Sequence, residues 1–491
     1  MNDKGIPALR LRYLNNRPIR PSGGYVLYWM VANRRTGWNF SLQRAVSWAQ
    51  ELDKPLVILE SLSCDYRWAC DRFHRFVIEG MADNALALCG KPVTYYSYLE
   101  RQRGDGDGLL FALAEQACAV VSDDFPCFFL PRILTITASR LPVRLELVDS
   151  NGLLPMRATD RVFSRAFDFR RFLQKGLLPH LADMPEIDPF EKVKLPKLKG
   201  LPSKIAKRWP AEVPDKLKSL TSCLAEFDID HRIGRASFSG GQRAAHEQML
   251  LFLRSRLQDY SKARNQPQQE VASGLSPYLH FGHISAHEVF TAVAHLENWN
   301  PSKVAAKASG SAQGWWGMSE NAESFLDELI TWRELGYNMC SHRNDYARYS
   351  SLPDWARTTL AEHAKDKREF EYSLGEFEHS QTHDPLWNAA QRQLVLEGRM
   401  HNYLRMLWGK KILEWSALPQ EALKTMIELN NKYAVDGRNP NSYAGIFWVL
   451  GRYDRPWGPE RPIFGKIRYM SSANTARKVK VDQFIAKYGR S

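Results

Sequence analysis

Between Gly24 and Ser150 short β-rich runs take turns with stretches of helical periodicity, and this alternation limits the fold more than any other feature. Tyr25–Met30, Leu56–Glu60, Val93–Tyr98, Ala119–Ser122 and Val143–Val148 read as strands. Between them Phe40–Leu52, Arg67–Leu88 and Leu109–Cys118 repeat apolar residues at helical spacing. Parallel strands need crossover connections, and helices supplied as crossovers cover both faces of the sheet. The expected N-terminal domain, residues 1–165, is therefore α/β: a parallel sheet covered by helices. No GxGxxG follows the first strand, so the dinucleotide-binding fingerprint is missing.

After residue 165 the composition shifts to Pro, Lys and Leu. Five prolines from Pro179 to Pro202 forbid a long helix there, and residues 166–235 read as a basic interdomain linker. Helical periodicity resumes after Gly240-Gly241, whose backbone N–H groups could serve a phosphate, and residues 236–491 are expected to be all-α. The densest stretch lies between Thr382 and Trp457, with apolar residues at helical spacing from Leu386 to Trp415. It carries Trp387, Trp408, Trp415, Trp448 and Trp457. Trp408 and Trp415 are seven apart, which on a helix puts both on one face. Arg399, His401, Asn402, Arg405, Asn430, Asp436 and Arg438 are interleaved with them. Any one of these indoles is accounted for as core, but the whole group suits a flat, polar, aromatic ligand.

Two shorter stretches carry chemistry of their own. In ASGLSPYLHFGHIS, Ser273, Gly274 and Ser276 precede a helix that Pro277 can start. That arrangement offers amides and hydroxyls to an anion, while N-capping is the plainer use of the same residues. In FLDELITWRELGYNMC, Glu328 and Trp332 are four apart and share a helix face: one hydrogen-bonding group beside one flat apolar wall. The net charge of +13 favours an acidic partner such as nucleic acid. From Arg461 to Ser491 eight Lys or Arg stand against the single acid Asp482, interleaved with aromatic rings. The seven cysteines are an odd number without a CxxC pair, so they read as reduced thiols with no metal site. No apolar run is long enough for a membrane helix, and the N-terminus lacks the apolar region of a secretory signal. The expected setting is intracellular: cytoplasmic and nucleoid-associated, or nuclear in a eukaryote.

GRMHNYLRMLWGKKILEW, LNNKYAVDGRNPN and DRPWGPERPIFGKIRYM resemble the flavin domain of the photolyase/cryptochrome family, specifically class II cyclobutane pyrimidine dimer DNA photolyases. The resemblance is dense from about Gly240 to the C-terminus and looser before it. It implies a monomeric, light-driven lyase that binds double-stranded DNA containing pyrimidine dimers and carries non-covalent FAD. By the same resemblance Tyr260, Ser273, Gly274, Leu275 and Ser276 hold the FAD phosphates, and Arg405, Asp436 and Arg438 lie near the flavin ring. Asn430 would face flavin N5, although its neighbour Asn431 stays open for that place. Trp387, Trp408 and Trp415 match the chain of tryptophans that reduces the flavin. Glu328, Trp332, Met406 and Trp448 would contact the flipped-out dimer, and Arg455 and Trp457 would fill the gap left in the duplex. Lys466 and Arg468, in the basic tail, are the expected phosphate contacts. An antenna chromophore of deazaflavin or folate type is a family option; VANRRTGWNF departs from the class II wording at that place. Two alternatives share part of this pattern. A cryptochrome-like photoreceptor would keep the fold and FAD without repair, and a non-photochemical flavoprotein would have no use for the tryptophan chain.

Overall fold

The computed structural model describes residues 5–220 and 224–489; Cys223 lies outside them. The other six cysteines are free thiols, as expected. Two compact units form, each discontinuous in sequence. One comprises Met1–Thr159, Gly176–Leu250 and Leu275–His295; the other comprises Asp160–Lys175, Leu251–Gly274 and Leu296–Ser491. The segment read as a linker is thus divided between them. It contains the helices Ala166–Gly176, Ser203–Arg208 and Pro214–Leu220, with no α-helix between Pro179 and Pro202.

The first unit is built on a sheet of six strands: β1 (Leu11–Tyr13), β2 (Tyr25–Met30), β3 (Leu56–Leu62), β4 (Thr94–Leu99), β5 (Ala117–Asp123) and β6 (Leu145–Val148), in the order β1-β6-β5-β2-β3-β4. All neighbours are parallel except β1, which runs antiparallel to β6. This edge strand was not expected; its residues Leu11–Tyr13 are too few to show a period of two, and pairing with β6 creates it. Alternate residues of the central strands serve opposite faces. Leu27, Leu59, Val120 and Leu147 pack on one side with Leu113, Leu134, Ile205 and Trp209. Val26, Tyr28, Ile58 and Val121 pack on the other with Phe40, Val46 and Trp48. The covering helices are α1 (Phe40–Leu52), α2 (Asp71–Ala87), α3 (Leu109–Ala114) and α4 (Leu130–Arg140). Asn39 starts α1 by accepting from the N–H groups of Ser41 and Leu42. Several ends shift by a few residues from the sequence reading, and two differences go further. The stretch taken as one helix to Cys118 stops at Ala114, because Ala117 pairs with Tyr25 and begins β5. Helix α4 was not foreseen: its β-branched Ile133, Thr135, Ile136 and Thr137 speak against a helix, and burial of Leu134 and Ala138 overrides them.

The second unit is helical, and no named strand follows Val148 among the described residues. Its informative elements are α5 (Arg333–His342), α6 (Pro385–Glu397), α7 (Asn402–Trp415), α8 (Pro419–Tyr433) and α9 (Pro440–Val449). The periodicity from Leu386 to Trp415 is two helices rather than one: Gly398, at φ +76°, ends α6 in a left-handed conformation open to glycine at little cost. Asp384 caps α6 through the N–H groups of Leu386 and Trp387, and Pro385 occupies its first turn, where a missing N–H costs little. No helix among the described residues is long and apolar enough to cross a membrane.

Candidate functional site

Three of the five tryptophans form a buried series. Trp387, Trp408 and Trp415 are 0%, 2% and 3% exposed, and the two indole N–H groups of Trp387 and Trp408 are both used. Trp387 donates to the Trp408 carbonyl at 3.0 Å, and Trp408 donates to Gln391 Oε1 at 2.8 Å. Satisfying those donors removes the main penalty of burying indoles. Trp387 and Trp415 meet ring against ring, centroids 6.0 Å apart at 69°. The series continues to half-buried Tyr372, 5.7 Å from Trp415, whose hydroxyl is hydrogen-bonded to His383 Nδ1 at 2.7 Å. Helix α7 therefore supplies both ends of the tryptophan series, and α6 supplies the middle. Tyr372 was missed from sequence because it lies outside both helices, and only folding brings it to Trp415.

A polar group gathers where α7, α8 and the turn after α8 meet. Arg405 Nη2 stands 3.2 Å from Asp436 Oδ1, with both side chains largely buried, so the two form an ion pair. Asn431 is engaged at both ends of its amide: its oxygen accepts from the Arg438 N–H and from Asn430 Nδ2, and its nitrogen donates to the Tyr443 hydroxyl. Asn430 Nδ2 donates to Ser442 Oγ at 2.7 Å, while its amide oxygen accepts from no group among the described residues. Arg438 is 3% exposed, and its guanidinium donates to the carbonyls of Asn431, Ala434 and Val435 at the end of α8. That side chain closes a helix end, where the last carbonyls lack intrahelical partners.

Glu328 and Trp332 lie on a π-helical turn, Asp327–Trp332, inserted between Glu320–Leu326 and α5. Such single π turns are rare and re-aim the side chains they carry. Both residues are half-buried. The Glu328 carboxylate pairs with Arg264 Nη1, and the neighbouring Asp327 takes both prongs of Arg170, at 2.7 and 2.8 Å. Burial pushes the Glu328 carboxyl above the usual carboxylate range, and the Arg264 guanidinium opposes that rise. Arg264 also lies 5.8 Å from the ring centre of Tyr260, which is buried against Phe252 and Phe325. Arg264 was missed from sequence, although its position four residues after Tyr260 puts the two side by side on one turn. Next to Tyr260, the Ser261 hydroxyl is buried without a hydrogen-bond partner.

The loop after α9 gathers most of the residues expected to touch DNA. Trp457 is flanked by two guanidinium groups, Arg455 at 4.6 Å and Arg468 at 5.0 Å, and Arg468 also lies 5.7 Å from the Trp448 ring. Asp454 orders this loop by accepting from the Arg455 N–H at 2.9 Å and from the Trp457 indole N–H at 3.0 Å. Arg455 and Arg468 are exposed. Lys466 is exposed too, and paired with Glu460 at 3.0 Å. Half-buried Met406 reaches toward Gly445 on α9.

Ser273 and Gly274 close the Leu251–Gly274 run of the helical unit, and Leu275 and Ser276 belong to the sheet unit. Pro277 lies in the first turn of the helix Ser276–Phe281, whose N-cap residue is Leu275. The N–H groups at Gly240-Gly241 are spent inside the protein. Gly240 donates to Glu79, Gly241 to His283 Nδ1 at 2.9 Å and Arg243 to Asp83 at 3.0 Å, so the phosphate role suggested for this glycine pair falls away.

The sheet unit has its own aromatic group. Its strand order reverses between β2 and β5, the place where open α/β sheets take ligands. There Asp123 Oδ2 accepts from the N–H groups of Val31, Ala32 and Asn33 at 2.8–3.0 Å, so a carboxylate of the chain itself occupies the donors that a phosphate would use. Beyond the ends of β3 and β5, half-buried Tyr66, Trp68, Phe128 and Phe129 cluster, with Trp68 stacked on Phe128 at 5.8 Å. Trp68 (φ +74°) and Phe128 (φ +62°) are held in left-handed backbone, which is costly for bulky residues.

Solved structures with this architecture are photolyases and cryptochromes. The chain superposes on a class III photolyase from Agrobacterium tumefaciens with a TM-score of 0.66 at 18% identity, covering 95% of this chain and 86% of that one. A Synechocystis cryptochrome gives a TM-score of 0.67 at 14% identity, with 94% and 88% covered. An archaeal photolyase from Sulfolobus tokodaii, solved with two FAD molecules, gives 0.60 at 15% identity, with 94% and 90% covered. Sequence similarity goes further than fold. The chain is 34% identical to a deoxyribodipyrimidine photo-lyase of Methanothermobacter thermautotrophicus over 98% of both proteins. It is 32% identical to that of Arabidopsis thaliana, covering 97% of this chain and 92% of the relative. With that of Potorous tridactylus it shares 30%, covering 94% and 80%. No family model matches the chain. The chain belongs to the deoxyribodipyrimidine photo-lyase family, the enzymes of light-dependent DNA repair. The α/β plus all-α fold expected from sequence is the fold of these neighbours.

Proposed function

We propose that this enzyme splits cyclobutane pyrimidine dimers in double-stranded DNA, using FAD held in its helical unit and a dimer turned out of the duplex. The observation that carries the reading is the alternation of indoles and exposed guanidinium groups from Trp448 through Arg468 and Trp457 to Arg455. Flat walls interleaved with fixed cations suit unstacked bases joined to a phosphate backbone.

The residues present fit FAD. The free amide oxygen of Asn430 can accept from the N–H of a reduced flavin, which supports Asn430 over Asn431 for that part. The Arg405–Asp436 pair supplies fixed charges on α7 and in the turn after α8. Tyr260 and the buried Ser261 hydroxyl, both in the helical unit, offer donors for phosphates. When bound and fully reduced, FAD supplies a light-driven electron donor for the dimer, and the organic chemistry is the cofactor's own.

The chain's residues do the rest. Trp332 and Trp448 wall the dimer, and Met406 fills the space beside it. Arg455 and Trp457 occupy the gap in the duplex, which offsets part of the few kcal/mol that unstacking costs. Glu328, whose ionised form burial disfavours, can hydrogen-bond a dimer carbonyl as charge builds there. Trp408, Trp387 and Trp415 pass electrons inward from Tyr372 at the rim. Arg468 takes phosphate charge, and Lys466 adds to it. A second, light-harvesting chromophore of deazaflavin or folate type would rest against Tyr66, Trp68, Phe128 and Phe129. The enzyme works as a monomer inside the cell, where its DNA is.

The test uses purified protein with fully reduced FAD, a duplex with one thymine dimer, and blue light. Recovery of intact thymines is expected. Dimers left intact would replace this reading with that of a photoreceptor.

A further inference from the structure

We infer that Lys410 is a positioning residue that fixes the lesion-facing side chains Trp448, Arg455 and Trp457 from behind. The inference rests on the lesion-binding reading just given. Lys410 lies on α7 and is 0% exposed. Its Nζ donates to the carbonyl of Val449, the last residue of α9, at 2.5 Å, and stands 5.7 Å from the ring centre of Trp448. A cation there meets the negative end of α9 and one of its orphan carbonyls. The charged groups that act on this ammonium are Asp454, which favours its charged form, and Arg468, which opposes it. Asp454 is the carboxylate that orders Arg455 and Trp457. One buried amine thus ties the end of α9 to the Trp448 ring, and its charge acts on Asp454 in the loop that follows.

Its neighbour Gly409 fixes the same contact. A Cβ at that position would stand 2.6 Å from Val449 Cγ2, so the close approach of α7 to the end of α9 leaves no room for a side chain at 409. An ammonium at this place is a poor choice for stability. Methionine, of nearly equal length, would be buried there without the desolvation cost. The lysine therefore serves placement.

Burial lowers the Lys410 amine from 10.5 to about 7. Below that pH the charged amine draws on Asp454; above it the amine still donates to Val449 but loses that pull. The lesion-facing loop should accordingly be held best on the acid side of neutral.

The experiment measures binding of the FAD-loaded full chain to a duplex with one thymine dimer, and to the same duplex undamaged, from pH 6 to 9. In the parent protein, preference for damaged DNA should fall as pH rises. In Lys410→Met that preference should drop about 10-fold at pH 6, the size of one charge-assisted hydrogen bond, and lose its pH dependence. Affinity for undamaged DNA should stay unchanged. The Asp454→Asn variant keeps an oxygen for Arg455 and Trp457 but removes the charge that Lys410 senses, so it too should flatten the pH profile. It serves as the test should Lys410→Met fail to load FAD. A parent-like preference and pH slope in either FAD-loaded variant overturns the role of Lys410. A parent protein with no preference for damaged DNA at any pH overturns the lesion-binding reading instead.

Discussion

Glu328 is already held by Arg264, and this sets what each residue can do. With Arg264 present, the carboxyl is pulled toward the ionised form that burial disfavours. Arg264→Ala removes that pull, so the Glu328 carboxyl should rise further, and the alkaline limb of repair yield against pH should move to higher pH. Glu328→Gln keeps a hydrogen-bond donor of the same shape and should retain more repair per absorbed photon than Glu328→Ala, because the bond matters most once charge has built on the dimer. An equal loss in both variants would mean that ionised carboxylate, rather than the donated hydrogen bond, is what the site uses. Trp332→Ala acts on binding. Base–aromatic stacking is worth roughly 1–3 kcal/mol, so affinity for dimer-containing DNA should fall about 5- to 150-fold with undamaged DNA unaffected, as read by titration of both duplexes.

At the level of elements, the tryptophan series depends on α6 and α7 being separate helices that pack together, since Trp387 comes from one and its two partners from the other. Trp415→Phe or Trp408→Phe should leave FAD content normal and slow photoreduction of oxidised flavin by an external donor, because phenylalanine is far harder to oxidise. Repair begun from chemically reduced enzyme should barely change. Loss of FAD in these variants would make the rings plain core. The sequence made Trp408 and Trp415 legible as a pair because seven residues is two helical turns, and it made β2 and α1 legible to the residue. It did not show the break at Gly398, because apolar spacing runs on across the GRMH turn and only a positive φ interrupts it. The π turn under Glu328 and Trp332 was equally hidden, since one inserted residue leaves their four-residue spacing intact. Arg264 and Tyr372 needed the fold: each acts on a residue far away in sequence. The Arg405–Asp436 pair was legible only through resemblance, because nothing in their 31-residue separation brings them together.

For the whole molecule the governing quantity is charge. A net +13 gives long-range attraction to DNA, but only cations placed against phosphates release counterions and set the salt dependence. Binding to undamaged duplex should weaken with salt along a log–log line of slope about −0.9 per phosphate neutralised. The local geometry separates the two expected contacts. Arg468 is exposed and held over Trp448 and Trp457 with no carboxylate partner among the described ion pairs, whereas Lys466 already faces Glu460. Arg468→Glu should therefore flatten the slope by about one phosphate's worth. Lys466→Ala uncovers Glu460, so it should weaken binding at low salt as well as reduce the slope, and Glu460→Gln in the parent protein should tighten binding. The Lys466 and Glu460 changes should leave the ratio of damaged to undamaged affinity unaltered, since they touch neither the indoles nor Glu328. The check is a salt titration of each variant on both duplexes. A slope that stays at the parent value in Arg468→Glu would place the DNA footprint elsewhere on the basic surface.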